Sequence, residues 1–193
     1  MTHPIWQQLI NGPNSATMLR ASSQQVAYGL TKLLGQTITS SIPEIRQVAV
    51  EQLSRTGKQA RSDEVGVYLK IESELGGAAL VRCRMSLVDL LAPPTAGTPA
   101  GLGPLQRSAL AEVGNLMLAY FLNALAELSA NPSQLFPSPP IVAVDMLRAL
   151  LNVMLTAPAT SRGELLLIET LFNDMGGNNQ LHMWVLPNLA ERG

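Results

Sequence analysis

VGVYLKIESELGGAALVRCRMS, residues 65 to 86, is two β-rich runs set about Gly76-Gly77. Branched and aromatic residues fill the runs and a glycine pair supplies the turn, which is the pattern of an antiparallel hairpin. A second stretch, GELLLIETLFNDMGGNNQLHMWVLP at 163 to 187, repeats the arrangement about MGGNN. The flanking segments repeat too. A long helical stretch precedes each hairpin, at roughly 14 to 35 and at 108 to 128. Asn14 or Ser15 can cap the first and Gly35 can stop it. Next come extended Ser/Pro-containing segments, QTITSSIPEI at 36 to 45 and NPSQLFPSPPIVAV at 131 to 144. Helical runs follow, EIRQVAVEQLSR at 44 to 55, stopping near Gly57, and VDMLRALLNVML at 144 to 155. After the hairpins, SLVDLL at 86 to 91, with Ser86 as its cap, is matched by NLAERG at 188 to 193.

The order helix, strand, helix, strand, strand, helix therefore occurs twice. In the alignment that this suggests, Ile71 falls on Ile168, Gly77 on Gly177 and Leu34 on Leu128. Chance similarity of two hairpin segments is the competing reading. The duplication predicts an α+β fold with pseudo-two-fold symmetry and an antiparallel-rich sheet packed by helices. Residues 1 to 193 are read as a single domain, with a first half at about 13–92 and a second at about 105–193. PPTAGTPAGLGP at 93–104 is the linker between them.

Composition narrows the function. The chain has 193 residues, 47% hydrophobic and 14% charged, at net charge −1. That suits a buried core and a globular chain, and it lacks the basic surface that nucleic acid would require. No run approaches the ~18 uninterrupted apolar residues of a membrane span, and the N-terminal MTHPIWQQLINGPN does not read as a secretory signal. The lone cysteine, Cys83, cannot form an internal disulfide, which points to a reducing, cytoplasmic setting.

The helix at 108 to 128, SALAEVGNLMLAYFLNALAEL, carries Glu112 and Asn115 in an otherwise apolar, Ala-rich run. At ~100° per residue, Ser108, Glu112, Asn115, Ala119 and Ala126 form one narrow stripe with Asn123 at its flank. Leu110, Val113, Met117, Tyr120, Phe121, Ala124, Leu125 and Leu128 fill the opposite arc, and Gly114 falls there as a close-packing position. The plain structural explanation is that Ser108 caps the helix, Glu112 sits in its first turn and Asn115 is incidental. Against it, Asn is a poor interior helix residue, and a face cleared to alanine around it suits docking.

SALAEVGN, the following NALAEL, the SPP segment and the duplication together resemble the CheC-type chemotaxis phosphatases of the CheC/CheX/FliY group. The pattern there is Asp or Ser, three residues, Glu, two residues, Asn, and about 22 residues later Pro. Pro137 and Pro139 bracket that last position. The resemblance implies a phosphatase, a hydrolase that removes the aspartyl phosphate from a CheY-type response regulator. Glu112 would pair with the partner's lysine and Asn115 would orient the attacking water, with Ser108, Ala119 and Asn123 on the docking face. It implies no cofactor of the chain's own, Mg²⁺ being supplied by the phosphorylated response regulator. It also admits CheD as a partner, through a second-half helix at about 145 to 155. A non-catalytic CheC-like adaptor, or a flagellar-switch-type binding module for receiver domains or CheD, is the alternative. The oligomeric state stays open.

Relatives often carry one such site per half. In the alignment above, the counterparts of Ser108, Glu112 and Asn115 are Asn14, Met18 and Ala21, so one active site is expected. His3 and His182, the two histidines, are far apart, and Cys83 has no metal-ligand spacing, so a buried thiol is expected. Arg82 and Arg84 alternate with Cys83 and project from one face, either solvated or available to steer an acidic partner.

Overall fold

The computed structural model describes residues 2–58, 63–94, 102–129, 135–144, 164–177 and 179–189. In chain order the elements are α1 (Pro4–Asn11), α2 (Ser15–Leu34), β1 (Ile38–Ser40), β2 (Glu44–Ala49), α3 (Val50–Lys58), β3 (Glu64–Lys70), β4 (Gly77–Arg84), α4 (Met85–Leu91), α5 (Pro104–Leu128), β5 (Ile141–Val144), β6 (Glu164–Asp174) and β7 (Gln180–Pro187). Most of the proposed linker, the helical run after residue 144 and most of the terminal NLAERG lie outside the described residues.

The strands form one seven-stranded sheet in the order β1-β6-β7-β4-β3-β5, with β2 also on β6. Every ladder among the described residues is antiparallel. β4 and β7 meet at the centre, one from each predicted hairpin. The outer strands cross over. First-half β2 pairs with second-half β6, and second-half β5 pairs with first-half β3. This is the α+β, pseudo-two-fold arrangement that the repeat predicts.

Side chains alternate across each strand, so each ladder feeds two cores. On one face Val65, Val67, Leu69, Ala79, Val81, Met183 and Val185 pack under α2 and α5. On the other, Tyr68, Leu80, Leu165, Leu167, Trp184 and Leu186 gather with Val48 and with Leu53 of α3. α5 is long and apolar enough to cross a membrane by length and composition, but half of that stretch is buried in the molecule. Its Leu110, Met117, Leu118, Leu122 and Leu125 are at most 1% exposed, each contributing ~1.5–3 kcal/mol of burial. Gly114 lets the helix sit this low, because a Cβ there would lie 2.6 Å from Val67 Cγ1.

Several local expectations change. An unpredicted helix, α1, opens the chain, with Pro4 at its start and His3 Nδ1 accepting the Ile5 N–H. Its buried Trp6 donates Nε1–H to the carbonyls of Leu75 and Gly76, fastening it to the first hairpin turn. The helical run expected at 44 to 55 divides. Residues 44–49 form β2, because β6 offers backbone partners and side-chain pairs, Arg46 with Glu169 and Gln47 with Glu164. Helix begins only at Val50. Ser86 does not cap α4, since Arg84 holds that position and Ser86 lies inside the helix.

The residue alignment of the halves also shifts. Ser138 donates its N–H to the Lys70 carbonyl and accepts the Lys70 N–H on Oγ. Ser41 makes the same pair of bonds with Leu171. Ser41 therefore corresponds to Ser138, Pro43 to Pro140, and Lys70 to Leu171. Ile71 then falls on Phe172 and not on Ile168. Ile71 N–H donates to Gly77 and Phe172 pairs with Leu181, so Gly77 does not fall on Gly177. The strands of the second hairpin run further before they turn.

Candidate functional site

The site begins with the N-terminus of α5. Gly103 caps it and Pro104 starts it, where the missing N–H costs nothing. Gln106, 3% exposed, accepts the Gly103 N–H on Oε1 at 3.0 Å and donates Nε2–H to Asp89 Oδ1 of α4 at 2.9 Å. That bridge ties the start of α5 to α4.

Because the helix starts at Pro104, Ser108 is already in its second turn. Ser108 cannot be the cap, and Glu112 is well past the first turn. The capping explanation of both residues is thereby removed. Ser108 and Glu112 are exposed and Asn115 is half-buried. With Ala111 they form one wall of an open groove of about 470 Å³. Pro137, Ser138, Pro139 and Pro140 form the other wall.

The proline wall is held by the sheet. Pro137 bridges to Ile71, Glu72 N–H donates to the Phe136 carbonyl at 3.0 Å, and Ser138 makes its two bonds to Lys70 at 2.8 and 2.9 Å. β5 then continues along β3. Both walls rest on β3 and the residue that follows it, one through Gly114 and Val67 and the other through Lys70 and Ile71, so one stretch of chain carries the whole groove.

Two of the expected docking residues lie elsewhere. Ala119, half-buried, and exposed Asn123 continue along α5 beyond the lining of the groove. Ala111, Ser138 and Pro140 line it although sequence reasoning did not single them out one by one; Ala111 shares the turn of Ser108 and Glu112, and Ser138 and Pro140 are the two ends of the quoted SPP. The helix arc largely holds, with Leu118 and Leu122 buried in addition and Leu128 44% exposed.

The first half lacks this site, for residues other than those expected. α2 buries Met18, Leu19, Ser22, Ser23, Val26, Ala27, Gly29 and Leu30. Shifted onto α5, these match Val113, Gly114, Met117, Leu118, Phe121, Leu122, Ala124 and Leu125 without a gap. In this register the counterparts of Ser108, Glu112 and Asn115 are Pro13, Thr17 and Arg20. A threonine brings no charge to pair with a lysine, and a guanidinium donates without accepting. Met18, the expected match to Glu112, is 4% exposed and belongs to the core.

The other candidates separate by face. Cys83 points under the helices and is buried, and that burial, with Glu64 nearby, pushes its thiol up to about 12. Arg82 is not solvated: its guanidinium lies over the Trp184 ring. His182 is held below the usual histidine range by burial and by Arg82.

No protein-family model matches the chain. It is 25% identical over 170 residues to the CheY-P phosphatase CheC of Bacillus subtilis, covering 84% of this chain and 80% of that one. The FliM middle domain of Vibrio alginolyticus superposes with a TM-score of 0.63 at 13% identity, over 91% of this chain and 94% of that one. CheX of Borrelia burgdorferi, from a CheX-CheY-BeF3-Mg²⁺ complex, superposes with a TM-score of 0.57 at 11% identity, over 89% and 97%. The chain is thus similar to CheC in sequence and shares the fold of the FliM middle domain and of CheX.

Proposed function

We propose that the chain is a phosphatase that hydrolyses the aspartyl phosphate of a CheY-type response regulator, working in the cytoplasm. The observation that carries this reading is the pairing of Glu112 and Asn115 on one wall of an open groove, in a helix whose capping needs are met elsewhere. The similarity to a CheY-P phosphatase supports it.

In this reading the receiver's acyl phosphate enters against α5. Glu112 pairs with a lysine of the receiver and sets the register of the two proteins. Asn115 holds a water in line with phosphorus, donating and accepting through its amide with no change of charge beside a polyanion. An acyl phosphate is already activated, so an oriented water is what the reaction lacks. The Mg²⁺ belongs to the receiver and, when bound, offsets charge on the phosphoryl oxygens. The proline wall limits how far the receiver can roll over the helix.

The FliM likeness favours a second reading, a non-catalytic module that binds receivers through the same groove. The two part in one experiment. A CheY-type receiver labelled with acetyl phosphate is mixed with the chain and phosphate release is followed. Faster release in proportion to the chain present is expected. Binding without faster release would overturn the phosphatase reading in favour of the module.

A further inference from the structure

A second cavity, of about 340 Å³, opens at the other end of β3 from the groove. Both halves line it. Glu64, Arg82, Arg84 and Ser86 come from the first, and Asn179 and His182 from the second.

Arg82 is the unusual group. Its side chain is 17% exposed, yet its donors are poorly used. Nη2 lies 3.4 Å from His182 Nδ1. Nη1 lies 3.9 Å from Glu64 Oε2, an ion pair too long for a hydrogen bond. Nε has no partner. A guanidinium carries five N–H donors, and buried donors are normally satisfied. The group is nonetheless held in place, with its carbon 4.6 Å from the centroid of the Trp184 ring. Arg84 projects to the same side two residues on. It is exposed and has no ion pair among the described residues. Two guanidiniums against the one carboxylate of Glu64 leave the cavity with an excess positive charge.

We propose that this cavity binds the phosphate group of a small ligand, gripped by Arg82 and Arg84, with the Ser86 hydroxyl as a further donor and, beside it, the second Nδ2–H of Asn179, whose first is given to Asp174 Oδ2 at 2.7 Å. Its donors come from β4, from α4 and from the β6–β7 turn. Guanidiniums with hydroxyl and amide donors beside them form a donor set suited to phosphate. The occupant would span the seam between the two halves.

The test is calorimetric titration of the full chain with inorganic phosphate, against chloride of equal ionic strength. Saturable binding at one site per chain is expected. Phosphate also stabilises proteins without a site, by exclusion from their surface, so the variants decide. Arg84→Gln, at an exposed position, should stay folded by circular dichroism and weaken binding by more than about fivefold. Arg82→Gln, checked for folding in the same way, should abolish it. A parallel titration with adenosine monophosphate separates a bare phosphate ligand from a phosphate-bearing molecule, since only the latter gains affinity from the rest of the cavity. Heat that does not saturate, or an Arg84→Gln affinity within about fivefold of the parent, would overturn the proposal. Neither variant touches the α5 groove, so the outcome is independent of the phosphatase reading.

Discussion

α2 and α5 lie side by side on one face of the sheet, and the buried positions of the first fall on those of the second without a gap. Their extended partners match as well, Ser41 and Ser138 gripping the sheet with the same pair of bonds. The exposed positions do not match. Where α5 presents Ser108, Glu112 and Asn115 to a proline wall, the first half has Pro13, just before α2, and Thr17 and Arg20 on it, and the wall residues there are Ser40, Ser41, Ile42 and Pro43. Burial is repeated because both helices must fill the same space over one symmetric sheet. Nothing in packing requires the outer faces to agree, so the outer face is where the halves carry separate chemistry.

The comparison breaks most sharply at Asn115. If it orients the water, Asn115→Ala should lower kcat by ~10²-fold or more, about 3 kcal/mol, and leave receiver binding nearly unchanged. Steady-state kinetics with phosphorylated receiver would read this, and a variant with normal kcat and lost binding would sink the role. Glu112→Ala comes next. Receiver affinity should fall by about tenfold at low salt and by less at high salt, because the lost term is a charge pair. An effect independent of salt would show that Glu112 acts otherwise.

The packing of the helices can be compared by adding one methyl group to each. At Gly114 a new Cβ meets Val67, a short branched side chain in a buried strand. Gly114→Ala should destabilise the fold by about 1–2 kcal/mol, overpacking exceeding the gain in helix propensity. At Gly29 the new Cβ meets the half-buried Tyr120 ring, which can swing outward. Gly29→Ala should cost less, and urea melts of both variants would rank them. The smallest effect is expected at Arg20, the counterpart of Asn115. Arg20→Ala should leave kcat within about twofold, since surface changes away from a site are nearly neutral. A larger loss would mean that α2 also takes part.

Much of this was legible in the sequence, because hairpins, prolines and helical periodicity are local signals. The β6–β7 hairpin, the exposure of Glu112 and the packing role of Gly114 all follow from spacing. What escaped depends on distant partners. β2 resembles a helix until β6 is beside it to pair Arg46 and Gln47. α1 is too short to announce itself and is fixed by a tryptophan bonded across the fold. The start of α5 was missed because Gly103 caps it and the buried Gln106 supplies the side-chain bond, in place of a Ser or Asp at the cap. The register of the halves was misplaced because identical residues, Ile with Ile and Gly with Gly, are a weaker guide than identical bonds.

The crossed outer strands have a consequence for assembly. Each hairpin receives an edge strand from the other half, so neither half is complete by itself. Expressed alone, residues 13–92 would leave the outer side of β3 bare and would present β1 and β2 with no strand to pair with. Such unfilled edges recruit neighbours. Two copies could satisfy one another by lending β1 and β2 to the bare edge of the other's β3, so the covalent chain amounts to a strand-swapped dimer with its two subunits joined.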